Sequence, residues 1–189
     1  MPTSTPADRA RLIEIVRQRS FSTGAEMKLA SGRTSNFYFN MKPTMLHAEG
    51  SHLIGALILS VIANDHADLI GGLEMGAVPI ATAVATVSFA SGSPIGAFFV
   101  RKQAKEHGTQ SLIEGLAKGE TLSGRRVVIV EDVTTTGGSA LMAAHAVTAA
   151  GGHVVRVVTV VDRQEGAGDA FAHAGLAFSA LLTIGDFKS

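Results

Sequence analysis

Four β-branched residues, Val127, Val128, Ile129 and Val130, run directly into the acidic pair Glu131–Asp132, and this junction limits what the chain can become. An unbroken β-branched run suits a strand buried on both faces, inside a sheet covered by helices. After Val133 come Thr134, Thr135, Thr136, Gly137, Gly138 and Ser139, and then the helical run LMAAHAVTAA. The order is strand, acids, hydroxyl- and glycine-rich turn, helix. Glycines let a backbone approach an anion, and free N–H groups at a helix start point at it. The turn therefore suits a phosphate without being a nucleotide-type P-loop. The acids would repel that phosphate, so they need another partner, either ribose hydroxyls or a metal ion. An ordinary strand-turn-helix would leave such acids in water.

Further strands are expected near residues 68, 95, 155 and 177, mostly separated by helices. Residues 77–90 read as a helix with Pro79 in its first turn, and residues 47–65 as a strongly apolar helix. This alternation predicts an α/β fold, a central parallel sheet flanked by helices. Ligands in such sheets sit at the carboxyl ends of strands. Glu74, Arg101, Lys102, Glu131, Asp132, Asp162 and Arg163 all follow predicted strands. Ahead of this core, residues 7–19 predict a helix with Leu12, Ile13, Val16 and Ala10 on its buried face. Residues 24–41 read as two short strands around the turn SGRTSN, with the aromatic cluster Phe37, Tyr38 and Phe39 either in the core or covering a flat ring.

A length of 189 residues suits a single domain. Its hydrophobic share of 46% and charged share of 17% suit a compact fold. The formal net charge is zero, so general affinity for nucleic acid is not indicated. With no cysteine, disulfides, thiol nucleophiles and cysteine-held metals are excluded. The polar N-terminus lacks the order of a signal peptide, and no apolar run approaches the ~20 residues of a membrane span. A cytoplasmic protein is expected. The histidines at 47, 52, 66, 145, 153 and 173 show no metal-ligand spacing, and no protein-held metal site is expected. No nucleophile pattern of the GxSxG kind occurs.

Residues 102–120 lose periodicity and read as a long polar loop, of the kind that carries function in compact domains. Its start, RKQAKEHG, offers Arg101, Lys102, Lys105 and His107, enough cations for a diphosphate.

The 127–140 stretch resembles the phosphoribosyl-diphosphate (PRPP) motif of type I phosphoribosyltransferases. SGRTSNFYFN resembles the hood segment of the orotate phosphoribosyltransferases, RKQAKEHG their RKxxKxHG loop, and DRQEG at 162–166 their DRQEG segment. These segments stand in the family's order over roughly residues 20–185. The resemblance implies the type I phosphoribosyltransferase fold, with a small hood over roughly residues 1–45 and a core over 46–189. It implies transfer of a phosphoribosyl group from PRPP to orotate, giving orotidine 5′-monophosphate and diphosphate in pyrimidine biosynthesis. Magnesium would arrive mainly on the diphosphate.

In that family's pattern, Glu131 and Asp132 hold the ribose hydroxyls, Thr134, Thr135, Thr136, Gly137, Gly138 and Ser139 cradle the 5′-phosphate, and Val133 belongs to the same PRPP-binding stretch. Arg101, Lys102, Lys105 and His107 bind the diphosphate, with Lys105, His107 and Asp132 as the catalytic set. Thr135 and Arg163 touch orotate, whose carboxylate suits a guanidinium; a surface pair of Arg163 with Glu165 is the plainer alternative. The resemblance also implies a homodimer with shared active sites, Lys102 reaching the partner, and no nucleic-acid or membrane partner. Two departures stand out. Ala30 occupies a place where many members carry lysine, and Lys28, on the same side of a strand, is expected to take over toward orotate. The turn LEMGA after the 68–72 strand also lacks the family's common lysine. A phosphoribosyltransferase for another base, or a non-catalytic PRPP-sensing regulator, remains open on the residues.

Overall fold

The computed structural model describes residues 5–28, 34–103 and 112–188, with backbone alone for 25–28 and 34–35. Lys105, His107, Ala30 and the SGR of the hood turn lie outside these residues, as does the side chain of Lys28.

Helix α1 (Pro6–Arg19) opens with a capping box between Thr5 and Asp8. A hairpin follows, β1 (Phe21–Lys28) and β2 (Thr34–Phe39), antiparallel from Phe21↔Phe39 to Lys28↔Thr34. Next come the short α2 (Lys42–Met45) and the apolar α3 (Ala48–Val61). Then follow β3 (Leu69–Gly71), α4 (Ala77–Ala90), β4 (Gly96–Ala97), β5 (Phe99–Val100) and β6 (Ile113–Glu114). The chain continues through β7 (Arg126–Thr134), α5 (Gly138–Ala149), β8 (His153–Asp162), α6 (Ala167–His173) and β9 (Phe178–Thr183).

The central sheet has five strands in the order β4-β3-β7-β8-β9, every neighbouring pair parallel. Its middle strand is the β-branched run that opened the sequence reading. Val128 and Val130 pack with α1, α3 and α4 on one face, while Val127 and Ile129 pack with α5 and α6 on the other. All four are no more than 1% exposed, because a parallel sheet is covered on both faces. No helix among the described residues is long and apolar enough to cross a membrane.

Four details differ from the sequence expectations. In α1 the buried face is Leu12, Ile15 and Val16, with Ile13 partly buried and Ala10 exposed, because the helix docks on α3 and β9 along a line one residue round. The expected strand at 94–102 splits. β4 pairs with β3 in the central sheet, while β5, still bonded to the residues just after β3, also pairs antiparallel with β6, Val100 opposite Ile113. Phe98, between them, points into the second core cluster and presses on Gly71, where a Cβ would stand 2.7 Å from its ring. The expected loop at 102–120 therefore contains a strand, anchored by Leu112, Ile113 and Leu116 against that cluster. Finally, the aromatic trio divides by strand alternation. Phe39 is buried against Phe21, with ring centroids 5.0 Å apart, and Phe37 stacks on the same ring at 6.0 Å, whereas Tyr38 is exposed on the other side.

At the opposite end of the sheet from these strand ends, Arg156 grips Asp65 through two bonds of 2.6 and 2.9 Å, and Arg126 donates to the Asp65 carbonyl.

Candidate active site

Two cavities open at the carboxyl ends of β3 and β7. The first, about 280 Å³, lies between the turn Leu73–Ala77 and β7, and is lined by Glu74, Gly76, Lys102, Glu131, Asp132 and Lys42, among others. The second, about 250 Å³, is lined by Glu131, Val133, Thr135, Thr136, Gly137, Gly138 and Ser139. Glu131 and Ser139 belong to both.

The acid pair is held in a poor solvent for charge. Burial pushes Glu131 up to about 7, against the opposing effect of the Thr134 hydroxyl, which donates to Oε2 at 2.6 Å. The charge of Asp132 pushes the same way as burial, and the Ser139 hydroxyl opposes it. Asp132 is also raised by burial, opposed by the Val133 N–H at 2.9 Å and by the nearby charges of Lys42 and Lys102. Buried carboxylates facing a cavity are poised to accept hydroxyl donors. Gly76 makes room for them. A Cβ there would sit 2.6 Å from Asp132 Oδ1, so the turn and the acid approach only because the side chain is a hydrogen.

The second cavity is built of the glycine, hydroxyl and helix-start groups that suit an anion. Gly137 adopts φ +84°, and a Cβ on it would meet the Phe171 ring at 2.8 Å, so both backbone and packing call for glycine. Helix α5 begins directly after it with no side-chain cap, which leaves its first N–H groups facing the cavity mouth. Thr134 takes a different position from its two neighbours. It is fully buried, lines neither cavity, and orients Glu131 instead.

The turn after β3 is laced to β5. Glu74 N–H donates to the Val100 carbonyl at 2.8 Å, and the Lys102 N–H donates to Glu74 Oε1 at 2.9 Å. That brings Lys102 to the first cavity. Arg101 does not line it; its Nε donates to the Gln103 carbonyl at 3.2 Å. Arg163 is 7% exposed at the end of β8. It does pair with Glu165, Nε to Oε1 at 2.8 Å, but the pair is sunk in the protein rather than on the surface, and Nη1 also donates to the Phe37 carbonyl of the hairpin at 3.3 Å. Lys42, at the start of α2, was not singled out from sequence. Its only signal there is a lone cation beside a proline in MKPTML.

Glu74, Glu131 and Asp132 bring carboxylate oxygens to the lining of the first cavity, but among the described residues no group of three or more acidic or histidine side chains is placed to hold a metal ion.

Comparison with known proteins supplies the frame for this geometry. The phosphoribosyl transferase domain family matches residues 44–175. The chain is 58% identical to the orotate phosphoribosyltransferase of Bradyrhizobium diazoefficiens over 184 residues, which is 97% of this chain and 98% of that one. The crystal structure of Mycobacterium tuberculosis orotate phosphoribosyltransferase with Fe(III) dicitrate superposes with a TM-score of 0.83 at 45% identity, covering 96% of this chain and 99% of that one. The same enzyme in complex with PRPP gives 0.78 at 42%, covering 95% and 98%. The family match, the near full-length similarity and the superposition agree, and the chain belongs to the orotate phosphoribosyltransferase family of type I phosphoribosyltransferases.

Proposed function

We propose that this enzyme transfers the phosphoribosyl group of PRPP to orotate, releasing diphosphate and forming orotidine 5′-monophosphate for pyrimidine biosynthesis. The observation that carries the reading is the shared wall of the two cavities, where Glu131 stands between the cradle at α5 and the turn at Gly76. A donor with a phosphate at one end, a diphosphate at the other and ribose hydroxyls between them matches that arrangement.

In this reading the 5′-phosphate lies on Thr135, Thr136, Gly137, Gly138 and Ser139, and the ribose hydroxyls donate to Glu131 and Asp132. The bond from the anomeric carbon to the diphosphate oxygen breaks, and the orotate ring nitrogen forms the new bond with its electron pair. As the diphosphate departs, positive charge grows on the sugar. The two carboxylates, in a site of low dielectric, favour that charge. Lys102, Lys105 and His107 take the negative charge of the leaving group, together with Arg101. Magnesium held on the diphosphate would neutralise part of the same charge. Arg163 and Thr135 orient orotate, with Lys28 contributing beside Ala30. The chain acts as one catalytic domain, in the cytoplasm and as a homodimer. The pairing face proposed is the apolar groove between α3 and α4, where Leu46 is 74% and Met75 64% exposed, Met75 being the residue next to Glu74.

The test is the loss of orotate absorbance in the presence of PRPP and magnesium, beside uracil, adenine and xanthine as acceptors. Turnover of orotate alone is the expected outcome. Lys105→Ala should lower the rate at least about tenfold, as for loss of a charge acting in the transition state. No turnover of orotate would sink the reading. Equilibrium sedimentation tests the dimer.

A further inference from the structure

The turn after β3 reads LEMGA, so the wall nearest the expected diphosphate brings a carboxylate, Glu74, and no cation. With Glu131 and Asp132, three acids line a cavity meant for a strongly anionic group. Lys102 is one answering charge. The other that the described residues supply is Lys42, from a different part of the chain altogether.

Its place is fixed by what surrounds it. Met41, Thr44 and Met45 are each no more than 3% exposed, and the Thr44 hydroxyl pairs with that of Ser20 at 2.6 Å. Gly50 of α3 packs so closely on the Thr44 carbonyl that a Cβ would collide with it. Helix α2 is thereby pinned on three sides, and its first residue projects at the cavity rim. Among the described residues the Lys42 ammonium forms no ion pair or hydrogen bond, although it lies close enough to favour the charged form of Asp132. An ammonium held at the mouth of an anion cavity, on a backbone pinned by these contacts, is pre-organised for a ligand rather than for a protein partner.

We infer that Lys42 binds the diphosphate of the donor and supplies the positive charge that the turn at residues 73–77 lacks. This rests on the PRPP reading above. As a flexible point charge, Lys42 is suited to a group that must leave after the reaction, whereas a bidentate arginine would grip it. It is a binding residue, so its loss should act on the donor and spare the acceptor.

The experiment is a calorimetric titration of magnesium diphosphate into the wild-type chain, Lys42→Ala, Lys42→Arg and Lys118→Ala, the last a lysine remote from the cavity. Lys42→Ala should weaken binding about tenfold or more, Lys42→Arg less than about threefold, and Lys118→Ala not at all. In steady state, Lys42→Ala should raise KM for PRPP by a similar factor and leave KM for orotate unchanged, a split that a general loss of structure would not produce. Diphosphate affinity equal to wild type in Lys42→Ala overturns the inference while leaving the donor reading intact. Failure of the wild-type chain to bind magnesium diphosphate overturns both.

Discussion

The Thr134 hydroxyl stands 2.6 Å from Glu131 Oε2, inside the protein and away from both cavities that Glu131 faces. One threonine of three thus acts on the acid rather than on a phosphate. The pair makes the protonation of Glu131 a property that substitution can tune.

Because burial pushes Glu131 up to about 7, the acid is partly protonated near neutrality. In the proposed binding mode ribose hydroxyls donate to the ionised form, so affinity for PRPP should rise as pH increases through about 7. Calorimetric affinities between pH 6 and 8.5 should follow that rise, and Glu131→Gln should flatten it apart from the titration of the ligand itself. For stability the sign is opposite. The folded value lies above the ordinary 4.5, so the stabilisation from the protonated acid is full below that value and is lost as pH rises through about 7.

Thr134→Val removes a donor that favours the charged acid. The pH midpoint for PRPP binding should move upward from that of wild type, with the affinity at pH 7 falling several-fold, about 1 kcal/mol for one buried hydrogen bond. A midpoint that stays in place would mean that the hydroxyl does not govern Glu131.

Gly76→Ala separates geometry from folding. Gly76 has a helical backbone, φ −58°, so alanine costs nothing in conformation. Its methyl group would nevertheless meet Asp132 Oδ1. The melting temperature should change little, while PRPP affinity should fall at least about tenfold. A variant with unchanged affinity would show that Asp132 tolerates displacement.

Much of this architecture was legible in the residues. The β-branched runs of β7 and β8 announce strands covered on both faces, and the helix at 77–90 stands where its early proline placed it. The division of 94–102 into two strands was not legible, because it depends on Phe98 meeting Gly71 from another segment. Neither was the separation of Thr134 from Thr135 and Thr136, since strand alternation sets which hydroxyl turns inward and composition does not. Lys42 was silent for a similar reason. Its neighbourhood is tertiary, created by α2 seating under α3, and nothing in its own stretch carries that information. The missing lysines at Ala30 and in the 73–77 turn hinted only that charge had to come from elsewhere.

Arg163 couples two parts of the chain, Glu165 beside it and the Phe37 carbonyl of the hairpin. Arg163→Ala should raise KM for orotate about tenfold to a hundredfold, and also lower the melting temperature, since a partly buried carboxylate and a carbonyl lose one donor. Arg163→Lys should recover part of the stability and little of the orotate affinity, because an ammonium cannot reproduce the fork of a guanidinium. Full recovery by lysine would place Arg163 in a structural role alone.

Asp65→Asn tests the far end of the sheet. It removes the charge that Arg156 grips with two bonds and leaves a partly buried guanidinium without its counter-ion. A loss of about 1–3 kcal/mol in unfolding free energy is expected, with kcat and KM for the reaction unaffected apart from that. The bridge has side-chain exposures of 24% and 13%, so water screens it only in part and high salt should weaken it little.

Glu131 and Ser139 face both cavities, and this makes the site a caliper. One jaw is the turn at Gly76, the other the start of α5, and both are mounted on adjacent strands locked in register, Ile70 against Val128 and Gly71 against Ile129. The gap between the jaws is therefore set by the sheet and not by a side chain that could swing. In the proposed binding mode such a site would sort ligands by the span between their anionic ends: ribose 5-phosphate or free diphosphate would close on one jaw only, and a donor with one sugar carbon more or fewer would touch the second jaw out of place.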